Sequence, residues 1–120
     1  MTWIMDTYKY LYGEKEINAE GCVTGKLVSS GGIEGRKEST GLGALYVLKE
    51  LLSKDDFCDL ADVNSGIKNK KVIIQGYGNV GYHLAKFLHK EGAKIIGIIE
   101  KNCSIYNSQG FDPSDVKIHC

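Results

Sequence analysis

Three glycines at fixed spacing are the residues of this chain that most directly indicate a ligand. Gly76, Gly78 and Gly81 form a G-x-G-x-x-G run within residues 76–81. In such a run the first glycine permits a tight turn, the second lets the backbone approach a pyrophosphate, and the third lets a helix pack closely on a strand. We therefore expect a dinucleotide at this turn, and no room for a Cβ at any of the three positions.

The residues around this turn supply its electrostatics. Asn79 and Val80 open a predicted helix, whose unpaired N–H groups and positive dipole end attract a diphosphate. About twenty residues past the turn, Glu100 stands where a carboxylate accepts hydrogen bonds from the adenosine ribose. A carboxylate repels a 2′-phosphate, which favours NAD, but the adjacent Lys101 softens that repulsion and leaves NADP open. The alternative for Glu100 is a solvated acid at the end of a strand.

Two strands and a helix are predicted to position these groups. Residues 72–74 and 95–99 are short apolar runs, typical of strands buried on both faces of a parallel sheet. Between them, apolar residues recur at helical spacing from Val80 to the stop signal at Gly92. A G-x-G-x-x-G run alone is weak evidence for a dinucleotide site. Here it follows a predicted strand and opens a predicted helix, and this context makes it a specific indication of such a site.

The segment upstream of the turn is predicted to be a helix followed by a long loop. Ile4, Tyr8 and Leu11 recur at intervals that fit a short helix ending at Gly13. Residues 14–35 lose this periodicity and are punctuated by glycines, which predicts a loop that is long for a passive connection.

A second helix, a connection and a turn complete the predicted elements. Ser39 or Thr40 can cap a helix that runs to about Ser53. Residues 55–69 are polar and rich in turn formers, so we place a connection there. Residues 107–110 predict a turn such as a hairpin tip.

Composition excludes several classes of protein. The 120 residues include 42% hydrophobic side chains and 15 basic against 15 acidic ones, so neither nucleic acid nor an anionic membrane is an expected partner. No signal peptide or membrane span is predicted. The cysteines have no pair at two-residue spacing, which predicts reduced thiols in an intracellular protein without a metal site; they are Cys22, Cys58, Cys103 and Cys120. We expect His83, His89 and His119 to be structural or surface residues.

Longer strings carry a resemblance to a known family. They are MTWIMDTY at 1–8, INA at 17–19, CVTGK at 22–26, GGIEGR at 31–36, STG at 39–41, QGYGNVG at 75–81 and SIYN at 104–107. In this order the strings resemble the hexameric NAD(P)-dependent glutamate dehydrogenases, within the Glu/Leu/Phe/Val dehydrogenase superfamily. Ser39 stands where the family usually has alanine, and residues 101–103 replace a more typical Ser-Asp-Gly, which leaves the detail of the ribose contact open.

The resemblance implies a reaction and a set of residues. The reaction is oxidative deamination of glutamate to 2-oxoglutarate and ammonia, with NAD or NADP as hydride acceptor, in a homo-oligomer of the cytoplasm or mitochondrial matrix. Arg36 matches an arginine near the substrate, with a loop-anchoring ion pair as the alternative. Thr40 matches a threonine near the nicotinamide, with a helix cap as the alternative. Asn79, Val80 and Glu100 match the cofactor site together with the glycines.

The predicted fold is α/β, an incomplete Rossmann-like domain preceded by a helix and loop from an inter-domain region. We assign residues 1–69 to that region and its following helix, and residues 70–120 to the cofactor domain. The family's catalytic lysine lies upstream of the point where this chain begins, and Lys26 is expected to be a surface or subunit-contact residue. We therefore expect an internal fragment or truncated form, inactive alone. The alternative is a non-catalytic remnant kept as a structural or interaction subunit of a larger assembly.

Overall fold

The computed structural model describes the backbone of residues 1–119 and the side chains of residues 1–117. The expectations for the side chain of His119 and for Cys120 lie outside these residues. The chain forms two compact units that divide between Lys37 and Glu38. The sequence assigned residues 1–69 to an inter-domain region with its following helix and residues 70–120 to a cofactor domain, and that assignment stays a prediction.

The first unit consists of one helix and a loop. Helix α1 spans Thr2–Tyr12 and ends at Gly13, whose N–H donates to the Lys9 carbonyl over 2.8 Å. The predicted first helix is therefore confirmed. The loop that follows contains two short 3-10 helices at Ala19–Cys22 and Val28–Ser30, which the missing periodicity did not indicate.

The second unit opens with two helices, of which the sequence predicted one. Helix α2 spans Ser39–Leu51, and its N-cap is Glu38, so the prediction that Ser39 or Thr40 caps the helix was wrong. Both residues lie in its first turn. Helix α3 spans Asp55–Leu60, inside the predicted connection, which corrects that assignment. Acidic residues in its first turn suit the positive end of the helix dipole.

A three-stranded sheet with the order β1-β2-β3 forms the rest of the unit. Strand β1, Lys71–Gln75, pairs in parallel with β2, Lys94–Ile99, through the crossover helix α4, Asn79–Lys90. Strand β3, Ser104–Phe111, pairs antiparallel with β2, and helix α5 spans Pro113–His119. This strand-helix-strand unit with an added antiparallel strand confirms the incomplete Rossmann-like α/β fold.

Two details of the sheet correct the sequence predictions. Residues 107–110 lie within β3 rather than at a hairpin tip, although Asn107 there makes turn-like bonds to the Gln109 N–H and the Gly110 carbonyl. The β2–β3 register shifts across this segment, so the turn chemistry produces a bulge. Strand β2 is buried as predicted, but Ile73 of β1 is 56% exposed while Ile74 is buried, because Ile74 faces α4 and Ile73 points to the opposite face of the sheet.

The core of the second unit fixes the glycine turn between β1 and α4. Helix α4 packs its apolar face on the sheet, and α2 packs on α4. The approach of α2 to α4 is close: a Cβ added to Gly41 would lie 2.9 Å from the Cβ of His83. The buried cluster consists of Leu45, Ile67, Ile74, Tyr77, Ala85, Leu88, Ala93, Ile95, Ile98 and Val116.

Candidate functional site

The glycine turn has the backbone geometry that its sequence indicates. Gly76 leaves β1 with φ at 83°, in the left-handed region that favours glycine. Its N–H donates to the Ile99 carbonyl of β2 over 2.8 Å, so the turn is attached to both parallel strands. The first glycine therefore makes the tight turn as predicted.

The other two glycines face opposite environments. A Cβ added to Gly81 would lie 1.9 Å from the Gly76 carbonyl oxygen and 3.2 Å from Ile74 Cγ2. A Cβ added to Gly78 would meet no heavy atom within 4 Å, and its φ of −72° suits any residue. The expectation that the protein leaves no room for a Cβ at any of the three glycines is therefore wrong for Gly78 and for Gly76, where an added Cβ would also meet no heavy atom within 4 Å; Gly76 is favoured by its positive φ instead. The space beside Gly78 is open to solvent.

The first turn of α4 points donors into that open space. Gly78 is the N-cap, and the first helical bond runs from the Tyr82 N–H to the Gly78 carbonyl over 3.0 Å. The N–H groups of Val80 and Gly81 therefore have no acceptor inside the helix. With the helix dipole, they form a site suited to an anion. A cleft of about 490 Å³ is lined by this turn and the end of β1.

Glu100 lies beside the turn rather than pointing away from it. Its carboxylate Oε1 accepts a hydrogen bond from the Tyr77 N–H, and its own N–H donates to the Cys103 carbonyl over 2.8 Å. Within the described residues the carboxylate has no ion-pair partner. Its carboxylate oxygens retain unused acceptor capacity at the turn, which a ribose diol can use.

A second cleft joins Glu100 to the turn. Its volume is about 560 Å³, and it is lined by Tyr77, Gly78, Glu100, Lys101, Asn102, Cys103 and Lys117. Lys101 and Lys117 add two cations to a cleft that already holds one carboxylate. The sequence indicated Lys101 through its neighbour, but it gave no signal for Lys117, which α5 brings to the cleft from the end of the chain.

Tyr77 is a second residue of the site that the sequence did not indicate. The fingerprint treats its position as variable, yet the side chain is 9% exposed and belongs to the core. Its hydroxyl donates to the Pro113 carbonyl over 2.8 Å, and its ring meets the ring of Tyr82 edge-on at 5.9 Å. The side chain of Tyr77 therefore connects the glycine turn to α5, and its backbone N–H donates a hydrogen bond to the Glu100 carboxylate.

Of the two residues assigned by resemblance, Thr40 lies in the same unit as the glycine turn and lines neither of these clefts. Arg36 is an exposed residue of the first unit, and Thr40 is exposed in the first turn of α2 in the second unit. The carbonyl groups of Glu20 and Val23 accept hydrogen bonds from Lys26 Nζ over 2.8 and 2.7 Å, so Lys26 anchors its own loop.

Histidines, cysteines and helix lengths add no further site. The ring of His83 meets the ring of Tyr82 edge-on and lies tilted to the ring of Phe87, and His89 is exposed. Cys22 and Cys103 are exposed free thiols, and Cys58 is buried. Among residues 1–119, no helix is long and apolar enough to cross a membrane, and the side chains of residues 1–117 contain no group of three or more arranged to hold a metal ion.

Comparisons with known proteins agree on one family. Residues 31–119 match the family model described as Glutamate/Leucine/Phenylalanine/Valine dehydrogenase. The mitochondrial glutamate dehydrogenase of Dictyostelium discoideum is 46% identical over 112 residues, which are 93% of this chain and 22% of that protein. The catabolic NAD-specific glutamate dehydrogenase RocG of Bacillus subtilis is 40% identical over 114 residues, 93% of this chain and 24% of RocG.

Solved structures agree with the sequence relatives. A hetero-hexameric glutamate dehydrogenase from Thermus thermophilus, in its Leu-bound form, superposes with a TM-score of 0.73 at 30% identity, over 98% of this chain and 26% of that one. The glutamate dehydrogenase of Peptoniphilus asaccharolyticus gives a TM-score of 0.66 at 29% identity, over 98% and 29% of the two chains. This chain thus spans about a quarter of the length of the proteins that it matches.

Proposed function

This chain belongs to the Glutamate/Leucine/Phenylalanine/Valine dehydrogenase family, and we propose on that premise that its glycine turn binds the adenosine diphosphate half of NAD. The observation that carries the proposal is the contrast between two glycines. Gly81 has no room for a Cβ, whereas Gly78 opens onto empty space where a Cβ would meet only a ligand. A pyrophosphate there would lie against the backbone, within reach of the N–H groups that open α4.

The residues around the turn fit the remaining parts of that ligand. Glu100 is bonded to the turn through the Tyr77 N–H and retains acceptor capacity for the hydroxyls of the adenosine ribose. A carboxylate beside the adenosine ribose repels a phosphate at the 2′ position, so we propose NAD as the preferred cofactor. RocG is named as NAD-specific, which supports this preference.

We propose that the whole protein oxidatively deaminates glutamate. NAD supplies the hydride acceptor when it is bound, and these residues hold and orient it. Of the residues assigned to the cofactor or the amino acid, Arg36 would act near the substrate and Thr40 near the nicotinamide. The family's catalytic lysine has no counterpart among the residues we matched, so we propose that this chain does not turn over glutamate by itself.

The same relatives support a proposal for the assembly state and the cellular compartment. We propose an oligomeric enzyme inside the cell, in the cytoplasm or the mitochondrial matrix. One structural neighbour is described as hetero-hexameric, and one relative as mitochondrial.

A second candidate function is an interaction subunit without catalysis. The first unit exposes several large apolar side chains, including Trp3 at 85%, Tyr10 at 89% and Ile17 at 99%. Apolar surface of this kind is typical of a face that another protein covers. In this alternative the chain is retained for assembly, and the glycine turn need not bind a nucleotide.

Ligand fragments distinguish the two functions. The purified chain is titrated by calorimetry with NAD, ADP-ribose and nicotinamide mononucleotide, and glutamate-dependent NADH formation is followed in parallel. We expect ADP-ribose to bind within about threefold of NAD, because the described contacts lie at the adenosine and pyrophosphate, a difference below about 0.7 kcal/mol. Nicotinamide mononucleotide should not bind. Absence of any binding, together with association into a larger particle in solution, would favour the second function instead.

A further inference from the structure

Tyr77 lies between Gly76 and Gly78, the two residues of the turn whose backbone is least restricted. A glycine has no Cβ, so neither neighbour fixes the peptide planes on the two sides of Tyr77. The side chain of Tyr77 does fix them, because it is buried and belongs to the core of the second unit. The direction of the Tyr77 N–H therefore depends on how firmly that ring is held.

Two neighbours hold the ring of Tyr77. Its hydroxyl donates to the Pro113 carbonyl over 2.8 Å, and the side chain of Pro113 is fully buried, so this acceptor has a fixed position. The ring also meets the ring of Tyr82 in α4 edge-on, with the two centroids 5.9 Å apart. A hydrogen bond has a narrow range of distance and angle, whereas ring packing is less directional. The hydroxyl bond therefore fixes the ring more closely than packing alone.

The Tyr77 N–H in turn holds the side chain of Glu100. It donates to Oε1, and in the part of the chain that the structure describes it is the only donor to that carboxylate. The backbone of Glu100 is fixed by the bond from its N–H to the Cys103 carbonyl, but its side chain has several rotatable bonds. The bond from Tyr77 selects one orientation, in which Oε2 keeps its acceptor capacity for a ribose hydroxyl.

Resting on the proposed function, we propose that Tyr77 is a positioning residue for the adenosine ribose and that it acts through Glu100. The bond from its hydroxyl to Pro113 fixes the ring, and the ring fixes the peptide between the two glycines. That peptide holds the carboxylate in the orientation that accepts the 2′-hydroxyl. Phenylalanine at this position keeps the ring and the N–H but has no hydroxyl, so it should weaken the ribose contact without removing it.

Two nucleotides that differ only in the 2′-hydroxyl test this role. The full chain is titrated by calorimetry with 5′-ADP and with 2′-deoxy-5′-ADP, and the readout is the ratio of the two dissociation constants. In the unchanged chain we expect 5′-ADP to bind about tenfold more tightly, as for one hydrogen bond to a carboxylate. In Tyr77→Phe this preference should fall to about threefold or less, while the affinity for 2′-deoxy-5′-ADP stays unchanged. A purely structural loss would lower both affinities together and keep the ratio.

Three further variants separate positioning from general effects. Glu100→Ala should remove the preference for 5′-ADP, and adding Tyr77→Phe to it should change nothing more, because the tyrosine acts only through that carboxylate. Tyr82→Phe keeps the ring contact and removes a hydroxyl that makes no hydrogen bond among the described residues, so the ratio should not change. Ile67→Val removes a methyl group from the same core and lines neither cleft. It should lower the thermal midpoint about as much as Tyr77→Phe and leave the ratio unchanged.

The outcomes also separate this inference from the proposed function. If 5′-ADP binds and Tyr77→Phe keeps the full preference, or loses affinity for both nucleotides equally, the positioning role is wrong and the nucleotide site stands. A further effect of Tyr77→Phe on the ratio in the Glu100→Ala chain would also overturn the inference, since the tyrosine would then act by another route. If neither nucleotide binds the unchanged chain, the proposed function fails and this inference fails with it.

Discussion

Replacing Gly78 by valine should abolish cofactor binding and leave the fold intact. Its φ of −72° and ψ of −160° are extended backbone, without the positive φ that favours glycine. A Cβ there meets no protein atom within 4 Å. Because Gly78 is the N-cap of α4 and valine caps a helix less well, we expect the free energy of unfolding to fall by no more than about 1 kcal/mol. The two methyl groups would instead occupy the space that a pyrophosphate needs.

The binding loss should be large because the ligand cannot move away from a fixed backbone. We expect NAD affinity to fall at least about hundredfold, equivalent to about 2.7 kcal/mol. Calorimetric titration of NAD measures the loss, and thermal unfolding measures the stability of the same preparation. An unchanged NAD affinity in a folded Gly78→Val chain would refute the assignment of the pyrophosphate to this turn.

Gly81 provides the matched control, because a substitution there should have the opposite pattern. An added Cβ would lie 1.9 Å from the Gly76 carbonyl oxygen, so the backbone of the turn must shift. Overpacking of this kind costs about 1–3 kcal/mol, which lowers Tm by roughly 3–12 °C in a chain of this size. Gly81→Ala should therefore lose mainly stability, whereas Gly78→Val should lose mainly binding. Equal thermal midpoints for the two variants would contradict this difference in packing.

Three further predictions concern the neighbours of the turn. Glu100→Ala should loosen NAD about tenfold, about 1.4 kcal/mol, and shift the preference towards NADP, as measured by the ratio of the two dissociation constants. An unaltered ratio would mean that Glu100 is only an acid at a strand end. Tyr77→Phe should lower the free energy of unfolding by about 1 kcal/mol, because the Pro113 carbonyl loses its donor; urea unfolding measures it, and no loss would contradict the importance of that bond. Gly41→Val should destabilise the second unit by at least about 2 kcal/mol, because the new side chain would overlap His83 in the closest approach of α2 to α4. The exposed Gly43, whose Cβ would meet no atom within 4 Å, gives the control Gly43→Ala, which should unfold no more easily than the unchanged chain.

The sequence predicted the turn well because its requirements are local. A positive φ at Gly76 and a close contact at Gly81 follow from a strand that must reverse into a helix within a few residues. Helix α4 was equally clear because its apolar residues recur at helical spacing, and strand β2 was clear because it is a continuous apolar run. These elements fix the position of Glu100 relative to the turn.

Short elements and surface exposure could not be predicted in the same way. Helix α3 spans only Asp55–Leu60, too few residues to show a helical period. Its stability comes from an acidic first turn and from the buried Cys58, whose burial depends on tertiary packing. Likewise, the exposure of Ile73 depends on which face of β1 is covered by α4, and the continuous apolar run of β1 does not indicate that face.

The missed part of the site is non-local. The bond between Tyr77 and Pro113 joins residues that are 36 positions apart, and Lys117 reaches the cleft only because α5 folds back beside the turn. No periodicity or motif connects such residues. Tyr77 occupies a variable position of the glycine-rich motif, so its structural role is recognised only from its contacts with Pro113 and Glu100.

The most direct measurement of the central claim is the response of individual backbone amides to a ligand fragment. The ¹⁵N-labelled chain is titrated with ADP-ribose and, separately, with adenosine, which lacks the pyrophosphate. We predict that ADP-ribose shifts the amide signals of Gly78, Asn79, Val80 and Gly81, and that adenosine leaves these four signals in place. Shifts confined to other residues, or equal shifts with both ligands, would contradict a pyrophosphate site at the glycine turn.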